Sequence, residues 1–424
     1  MSGRSQSVTG ITIDPDEVIR LAQDLIAIES HSAAPGREAP IGRFLVDWFR
    51  ARGIEAELAP AIGDRANVIA RMPFGDGTGP AVLLNGHIDT VPAGATKDAF
   101  TPRIEDGVLW GRGACDMKAA VAAMCGALAA VHRSQAAREL PGTRPATPGS
   151  GAAMAGVMAA MARGSTPLRG TLLFAGTVDE ETGSLGVKRL VESGLKADYA
   201  VVGEPTCLRA AIAHKGACFI RIVLTGRGAH GSCPEKGVSA ASYGARIVTA
   251  LEDELRPRLA KRTYPLLRAS TVSVGRICGG TEPNIVAERC EIDVDRRTLP
   301  GEADTVGEVQ DVVAAICEGV EGLTYEVRET ERTSAVPHVA LGTAPDSPLA
   351  LAAEGACRDM GLPADPVGVT YWTDGAHLAA NGIETLILGP GDIADAHGPS
   401  DHVRVEDIIK AAQVYLEVVR NLLT

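Results

Sequence analysis

Apolar residues recur along this chain at two periods that take turns, and the alternation predicts an α/β protein. Asp14-Pro15 opens a first helix with a cap residue followed by a proline at the first helical position, and Val18, Leu21, Ala22 and Leu25 then share one face. A second amphipathic helix runs through Ile41, Phe44, Leu45 and Trp48 and stops near Gly53. Short apolar runs predict strands over residues 54–58, 68–72, 81–84, 171–175 and 199–202. Residues 117–131 are apolar over most of a helical surface, which predicts a buried helix.

After about Gly216 the pattern changes. Ile220, Ile222 and Leu224 alternate with Phe219, Arg221 and Val223, as in a half-buried strand. A helix over 238–255, strands over 271–276 and 285–295, a helix near 302–317 and a strand over 323–328 complete a β-α-β-β-α-β succession, a self-contained ferredoxin-like unit. Helices and strands alternate again from Pro348 to the end. The expected organisation is a discontinuous α/β domain, residues 1–215 and 330–424, with a small α+β domain, residues 216–329, inserted in it. Two Pro/Gly clusters, Pro141-Gly142-Thr143-Arg144-Pro145 and Pro148-Gly149-Ser150-Gly151, mark a further insertion over residues 134–166 of the larger domain.

Composition narrows the picture. A chain of 424 residues exceeds one ordinary core. With 45% hydrophobic but only 4% aromatic residues, the core must come from Ala, Val, Leu and Ile. A net charge of −12 argues against a nucleic-acid partner and suits a site that holds cations with carboxylates. Nine cysteines, with no C-x-x-C pair among them, fit free thiols in a reducing compartment. Residues 1–13 lack the apolar core of a signal peptide, and no run reaches the roughly 20 uninterrupted apolar residues of a membrane span. A cytoplasmic protein without a membrane partner is expected.

The candidate chemistry begins at Gly86-His87-Ile88-Asp89-Thr90-Val91-Pro92, directly after an apolar run. Histidine is the commonest metal ligand, and its second ring nitrogen needs an acceptor, a part Asp89 can take. Four further features resemble it in position. They are Asp116 in Gly111-Arg112-Gly113-Ala114-Cys115-Asp116-Met117-Lys118, the pair Glu180-Glu181, Glu204 in Gly203-Glu204-Pro205-Thr206, and His397 in Asp395-Ala396-His397-Gly398-Pro399. Most follow a predicted strand, and open α/β sheets build their sites beyond the carboxyl ends of strands. Two imidazoles with three carboxylates suit a borderline divalent metal such as zinc, and one carboxylate can bridge two ions. Two dications would be neutralised by Asp116, Glu181, Glu204 and one hydroxide, which avoids burying isolated charge. Glu180 stays outside that count, as the adjacent free carboxylate that a general base requires. Asp374 reads as a helix cap, and Cys115 as packing.

In these motifs, GHIDTVP, GRGACDMK, VDEETGS and GEPT, ordered from His87 to His397, the sequence resembles the M20 family of di-zinc aminoacylases and peptidases, in its acetylornithine deacetylase and succinyl-diaminopimelate desuccinylase branch. The resemblance implies a mixed-sheet di-zinc catalytic domain with an inserted ferredoxin-like lid through which two chains dimerise. It implies that His87, Asp116 and Glu204 hold one zinc and Asp116, Glu181 and His397 the other, that Asp89 orients His87, and that Glu180 carries a proton from water to the leaving amine. Cobalt and manganese share these ligands. His230, in Gly228-Ala229-His230-Gly231-Ser232, matches a lid histidine that reaches the partner subunit's site and polarises the scissile carbonyl. Asn284 matches a substrate-contacting asparagine, and Arg297 an arginine that receives a substrate carboxylate, with Arg296 beside it as the alternative. The amides of Gly389-Pro390-Gly391 match a loop at the substrate's carboxylate end. The implied reaction removes an N-acyl group from an amino acid by attack of a hydroxide held between the metals. A dipeptidase or carboxypeptidase on the same scaffold is the alternative, and a non-catalytic binding protein is disfavoured by the complete ligand set. Two departures stand out: Ala287 replaces the family's usual proline, and the 134–166 insertion is longer than the usual connection.

Overall fold

The computed structural model describes residues 11–139 and 167–424, so most of the 134–166 insertion lies outside the described residues. The chain forms two units. The larger comprises residues up to Ile212, Thr343–Val367 and Thr373–Thr424, and the smaller Ala213–Gly342 with Gly368–Trp372.

The larger unit is built on a mixed sheet. Strands β1 (Glu55–Ile62), β2 (Arg65–Phe74) and β3 (Ala81–His87) precede the short β4 (Arg103–Glu105) and β5 (Val108–Trp110), and β6 (Gly170–Thr177) and β7 (Tyr199–Val202) follow. The sheet order is β1-β2-β6-β3-β7 and then the strand Glu384–Ile387. The β1/β2 and β2/β6 pairs are antiparallel, whereas β6, β3, β7 and Glu384–Ile387 run parallel to one another. All four parallel strands therefore end at the same edge, and every expected metal ligand except Asp116 and His397 lies on or just past one of those ends. The central strands are buried on both faces, with Leu83, Leu84, Leu172, Phe174 and Val201 at no more than 1% exposure. Side chains of this size gain about 1.5–3 kcal/mol each on burial.

Helix α1 (Pro15–Ala27) starts where expected, the Asp14 carboxylate accepting the amides of Asp16 and Glu17, and α2 (Ala39–Arg50) ends close to the expected Gly53. Helix α3 (Ala119–Glu139) begins two residues later than its hydrophobic pattern suggests, because Asp116 and Met117 are turned out of helical geometry into the site. Its alanine-rich surface lets α1 and the C-terminal helix Val405–Leu423 pack against it. Residues Ala114–Ala136 are the one helical stretch among the described residues long and apolar enough to cross a membrane, and its most apolar part, through Val131, is buried in the protein.

The smaller unit carries β9 (Gly216–Thr225), β10 (Thr271–Gly279), β11 (Arg289–Thr298) and β12 (Thr324–Glu329), numbered after β8 (Ala211–His214). They form an antiparallel sheet in the order β10-β11-β9-β12. With the helices Ala240–Ala250 and Thr305–Cys317 between them, this is the ferredoxin-like succession. Ile220, Ile222, Leu224, Ile292 and Val294 point into its core with Ile247, Val309 and Val313. Two expected boundaries are corrected. The strand expected from Ile285 begins at Arg289, because the Ile285 amide closes a turn onto Glu282 and the Val286 amide donates to Ala229. The unit also runs past residue 329: Val336 is fully buried and the Ala217 amide donates to His338.

Candidate metal centre

β3 delivers His87 as its last residue, β6 ends three residues before Glu180, and β7 ends two residues before Glu204. Asp116 enters from the tight turn Ala114–Lys118, where its own φ of −125° and ψ of 98° interrupt the approach to α3. His397 comes from a loop near the C-terminus with a φ of 61°. Five side chains from five segments separated in sequence thus meet at one sheet edge.

Asp116 stands between the two imidazoles. His87 Nε2 lies 3.0 Å from Asp116 Oδ1 and 3.7 Å from Glu204 Oε1. His397 Nε2 lies 3.1 Å from Asp116 Oδ2 and 3.1 Å from Glu181 Oε1. Each oxygen of one carboxylate faces a different histidine, as a bridging ligand would. Donor atoms of His87, Asp116 and Glu181 all lie within 4.8 Å of one another. The side chain of His87 is 1% exposed and that of His397 50%, so the site opens to solvent on the His397 side.

Charge in the cluster is unbalanced. Burial pushes Glu204, Glu181 and Glu180 above the usual carboxylate range, and the neighbouring carboxylates add to the push. Burial works against a charge on His87, yet hydrogen bonds to Asp116 and Asp89 prevail and raise it well above the ordinary histidine value. For His397, hydrogen bonds to Asp116 and Glu181 outweigh burial and raise it to about 10. Carboxylates that hold a proton this firmly between them favour a cation in the same position.

Asp89 does more than the expected orienting of His87. His87 Nδ1 faces the Asp89 backbone oxygen at 3.1 Å and its Oδ1 at 3.5 Å, which keeps a proton on Nδ1, so that when the ring is neutral Nε2, toward Asp116, is the nitrogen free to ligate. The same carboxylate accepts the amides of Glu180 and Glu181 at 3.2 and 3.1 Å. One aspartate therefore ties the first histidine to the paired glutamates. No described side chain donates to the Glu180 carboxylate itself, which leaves it available for proton transfer.

Two clamps escaped sequence reasoning. Arg112 Nη1 donates to Asp401 Oδ2 at 3.0 Å, while Asp401 accepts the amides of Gly113 and Cys115 at 2.8 and 2.9 Å. Arg112 Nη2 reaches the backbone oxygens of His397 and Gly398 at 3.5 and 3.2 Å. This buried pair joins the Asp116 turn to the His397 loop. The second is the Glu38–Arg65–Asp179 ion triad next to Glu180. Asp401 carries no local signal, four residues past His397 in a polar loop; Arg112 sits inside a quoted motif, where its glycine neighbours gave it no partner.

Asp374 is corrected. It begins the helix Gly375–Ala380, but its side chain caps nothing; it is buried and accepts from Thr177 Oγ1 at 2.9 Å. Burial raises its carboxyl to about 7. Cys115 is buried as expected, its thiol 3.1 Å from the Asp392 backbone oxygen. The Gly389-Pro390-Gly391 loop also differs from expectation. The Gly389 amide donates to Thr206 Oγ1, and the Gly389 and Gly391 carbonyls accept the amides of Leu208 and Cys207. A Cβ on Gly389 would meet the backbone oxygens of Gly203 and Glu204 at 2.1 and 2.5 Å. The loop braces the segment that presents Glu204, and its first amide is already engaged.

In the smaller unit, His230 and Asn284 come together: the Gly231 amide donates to the Asn284 backbone oxygen at 2.7 Å, and both side chains are exposed. His230 Nδ1 accepts the Ser232 amide at 3.2 Å, so the neutral ring carries its proton on Nε2, the tautomer that can donate to a carbonyl. Between the two arginines the structure separates clearly. Arg296 is fully buried, bonded to Ser270, the Thr271 backbone oxygen and Glu308. Arg297 is partly exposed and held by Asp295 through Nε and Nη2 at 2.9 and 3.1 Å.

The chain is similar to known proteins along most of its length. The model of Peptidase family M20/M25/M40 matches residues 83–141 and 147–421. An acetylornithine deacetylase of Myxococcus xanthus is 28% identical over 411 residues, covering 94% of this chain and 95% of its own. Among solved structures, the aminopeptidase PepT of Bacillus cereus superposes with a TM-score of 0.76 at 20% identity, covering 97% of this chain and 100% of its own. A dinuclear metal-binding peptidase from the M20 family of Bacillus subtilis superposes with a TM-score of 0.69 at 16% identity, covering 96% and 98%.

Proposed function

Because the chain belongs to peptidase family M20/M25/M40 and is a metal-dependent amidohydrolase, we propose that it removes the acyl group from an N-acyl amino acid, using two divalent ions held by His87, Asp116, Glu204, Glu181 and His397. The observation that carries the two-ion reading is Asp116, whose two oxygens each face a different imidazole. The donor set of imidazoles and carboxylates fits zinc best, with cobalt and manganese next. Such ions, when bound, lower the pKa of a coordinated water toward ~7 and polarise a carbonyl.

The chain's own residues supply the rest. Asp89 fixes the His87 tautomer and the position of the glutamate pair. Glu180, raised by burial and with no described side chain donating to its carboxylate, accepts the proton of the attacking water and returns it to the departing amine. His230, with its proton on Nε2, stabilises the developing oxyanion at the site of the partner subunit in a homodimer. Asn284 and Arg297, on the exposed side of the smaller unit, contact the substrate, the guanidinium receiving its carboxylate. Nine free thiols support a cytoplasmic location.

The near full-length likeness to an acetylornithine deacetylase favours an acyl amino acid over a peptide. The test is hydrolysis of an N-acetyl and N-succinyl amino-acid panel beside a dipeptide panel, with zinc- and cobalt-loaded protein. Faster turnover of dipeptides than of every acyl amino acid would overturn the substrate class while leaving the amidohydrolase chemistry in place.

A further inference from the structure

Turn 178–186 carries both Glu180 and Glu181, and the least expected group in the larger unit lies behind it. Arg65, at the start of β2, has side-chain exposure of 8%, and its partners Glu38 and Asp179 have 1% and 7%. Its Nε donates to Glu38 Oε2 at 2.8 Å, its Nη2 to Glu38 Oε1, and its Nη1 to Asp179 Oδ1 at 2.7 Å. Both edges of the guanidinium fork are engaged, so the plane of the group is fixed.

Asp179 transmits that fixity. It has a φ of 73°, its Oδ1 accepts from Thr182 Oγ1 at 2.6 Å, and its Oδ2 accepts the Leu185 amide at 3.3 Å. Its backbone oxygen accepts the amides of Gly183 and Ser184. Two residues along the same face of β2, Asn67 holds the other end of the turn, accepting the Val178 amide at 3.1 Å and donating to the Gly186 oxygen at 2.9 Å. The approach is so close that a Cβ on Gly186 would lie 2.1 Å from the Val178 oxygen. From the opposite side Asp89 takes the Glu180 and Glu181 amides. The turn is thus held between β2 and the loop after β3.

A buried ion triad adds little stability compared with apolar residues of the same volume, but it does impose one orientation. We propose that Arg65, braced by Glu38, is a positioning residue for the reaction: through Asp179 it sets the place of Glu180 relative to the substrate and of Glu181 relative to its ion. The proposal rests on the roles given above to Glu180 and Glu181.

The deciding variant is Arg65→Lys, which keeps the charge but cannot reach both carboxylates at once. In the full chain, the metal-free protein is titrated with zinc, and kcat and KM are measured with zinc in excess on whichever acyl amino acid the wild type hydrolyses. Residues that orient ligands from behind cost roughly 10–100-fold in metal affinity or activity when replaced. The expected result is a kcat lower by that factor with KM within about threefold, and a weaker second zinc. In a Glu180→Gln background the same substitution should lower kcat by less than about threefold, because the group it positions is already lost. Wild-type kcat and zinc affinity in a folded Arg65→Lys protein would overturn the proposal, as would an undiminished loss in the Glu180→Gln background. Glu38→Gln, which preserves shape, decides the matter if Arg65→Lys does not fold: it should move kcat and the second zinc the same way by a smaller factor, and no change refutes the brace. A wild type inactive on every acyl amino acid would defeat the substrate reading alone, and the zinc titration would still judge the triad.

Discussion

Replacing Glu180 by glutamine separates proton transfer from every other property of the centre. The Glu180 amide is bound by Asp89 and its backbone oxygen faces Ser184 Oγ at 3.4 Å, contacts that glutamine keeps. No described side chain donates to its carboxylate, so the substitution breaks no side-chain bond, and because burial disfavours the ionised form, a neutral isostere costs no stability. General acid–base catalysis contributes typically 10²–10⁴-fold, or about 3–5 kcal/mol of barrier. The variant should therefore unfold at or above the wild-type temperature, retain both ions, and lose roughly two to four decades of kcat with little change in KM. The assay is steady-state hydrolysis with zinc in excess, beside metal analysis of the same preparation. A kcat above about a tenth of wild type would refute the acid–base role. Loss of one ion would instead make Glu180 a ligand.

Three further outcomes follow from particular contacts. Asp116→Ala removes the ligand common to both positions and should leave less than one tightly held ion per chain, whereas Glu204→Ala and His397→Ala should each leave about one, as read by metal analysis after gel filtration. Arg112→Met leaves the buried Asp401 carboxylate without its counter-charge and should cost about 3–5 kcal/mol in urea unfolding; a loss below about 1 kcal/mol would show the pair to be dispensable. Burial lowers His214 from the ordinary histidine value to about 4, so the unfolded chain binds its proton first as pH falls. Its contribution is intact above pH ~6.5 and is lost progressively as pH falls toward 4, by about 3 kcal/mol in all. His214→Phe should flatten the pH dependence of stability across that window, and an unchanged slope would place the titration elsewhere.

The convergence of His87, Glu181 and Glu204 at one sheet edge was legible because each of the three is announced locally. An apolar run that stops at a histidine or a glutamate marks a strand end, and parallel neighbours bring such ends to one edge without further information. The clamps were not legible, because nothing local marks them. Arg65 and Asp179 are 114 positions apart and Arg112 and Asp401 are 289 apart, and a lone aspartate in a polar loop reads the same whether it is buried or exposed. The choice between Arg296 and Arg297 was open in the sequence, yet a signal for it existed. Ile292 and Val294 point inward along β11, and the two-residue period carries Arg296 to the same face. An arginine was weighed by its charge where its parity along the strand decided. Asp374 went astray for the related reason that a short polar residue ahead of a helix usually caps it, and here Thr177 takes its carboxylate instead.

Apart from Asp374, which accepts from Thr177, the buried carboxylates around the cluster fall into two sets. Asp179, Glu38 and Asp401 are paired with Arg65 or Arg112, and Asp89 is satisfied by the Glu180 and Glu181 amides. These hold the loops. Asp116, Glu181, Glu204 and Glu180 have no lysine or arginine partner among the described residues, and they face imidazoles or one another. Burying four carboxylates side by side against two imidazoles is costly unless positive charge arrives from elsewhere. An arginine placed among them would relieve the cost but would also occupy the open coordination positions that water and substrate need. Divalent ions meet the same electrostatic demand and leave those positions free. The arginines lie one layer back, paired with carboxylates bonded to the turns that carry Asp116, Glu180 and Glu181.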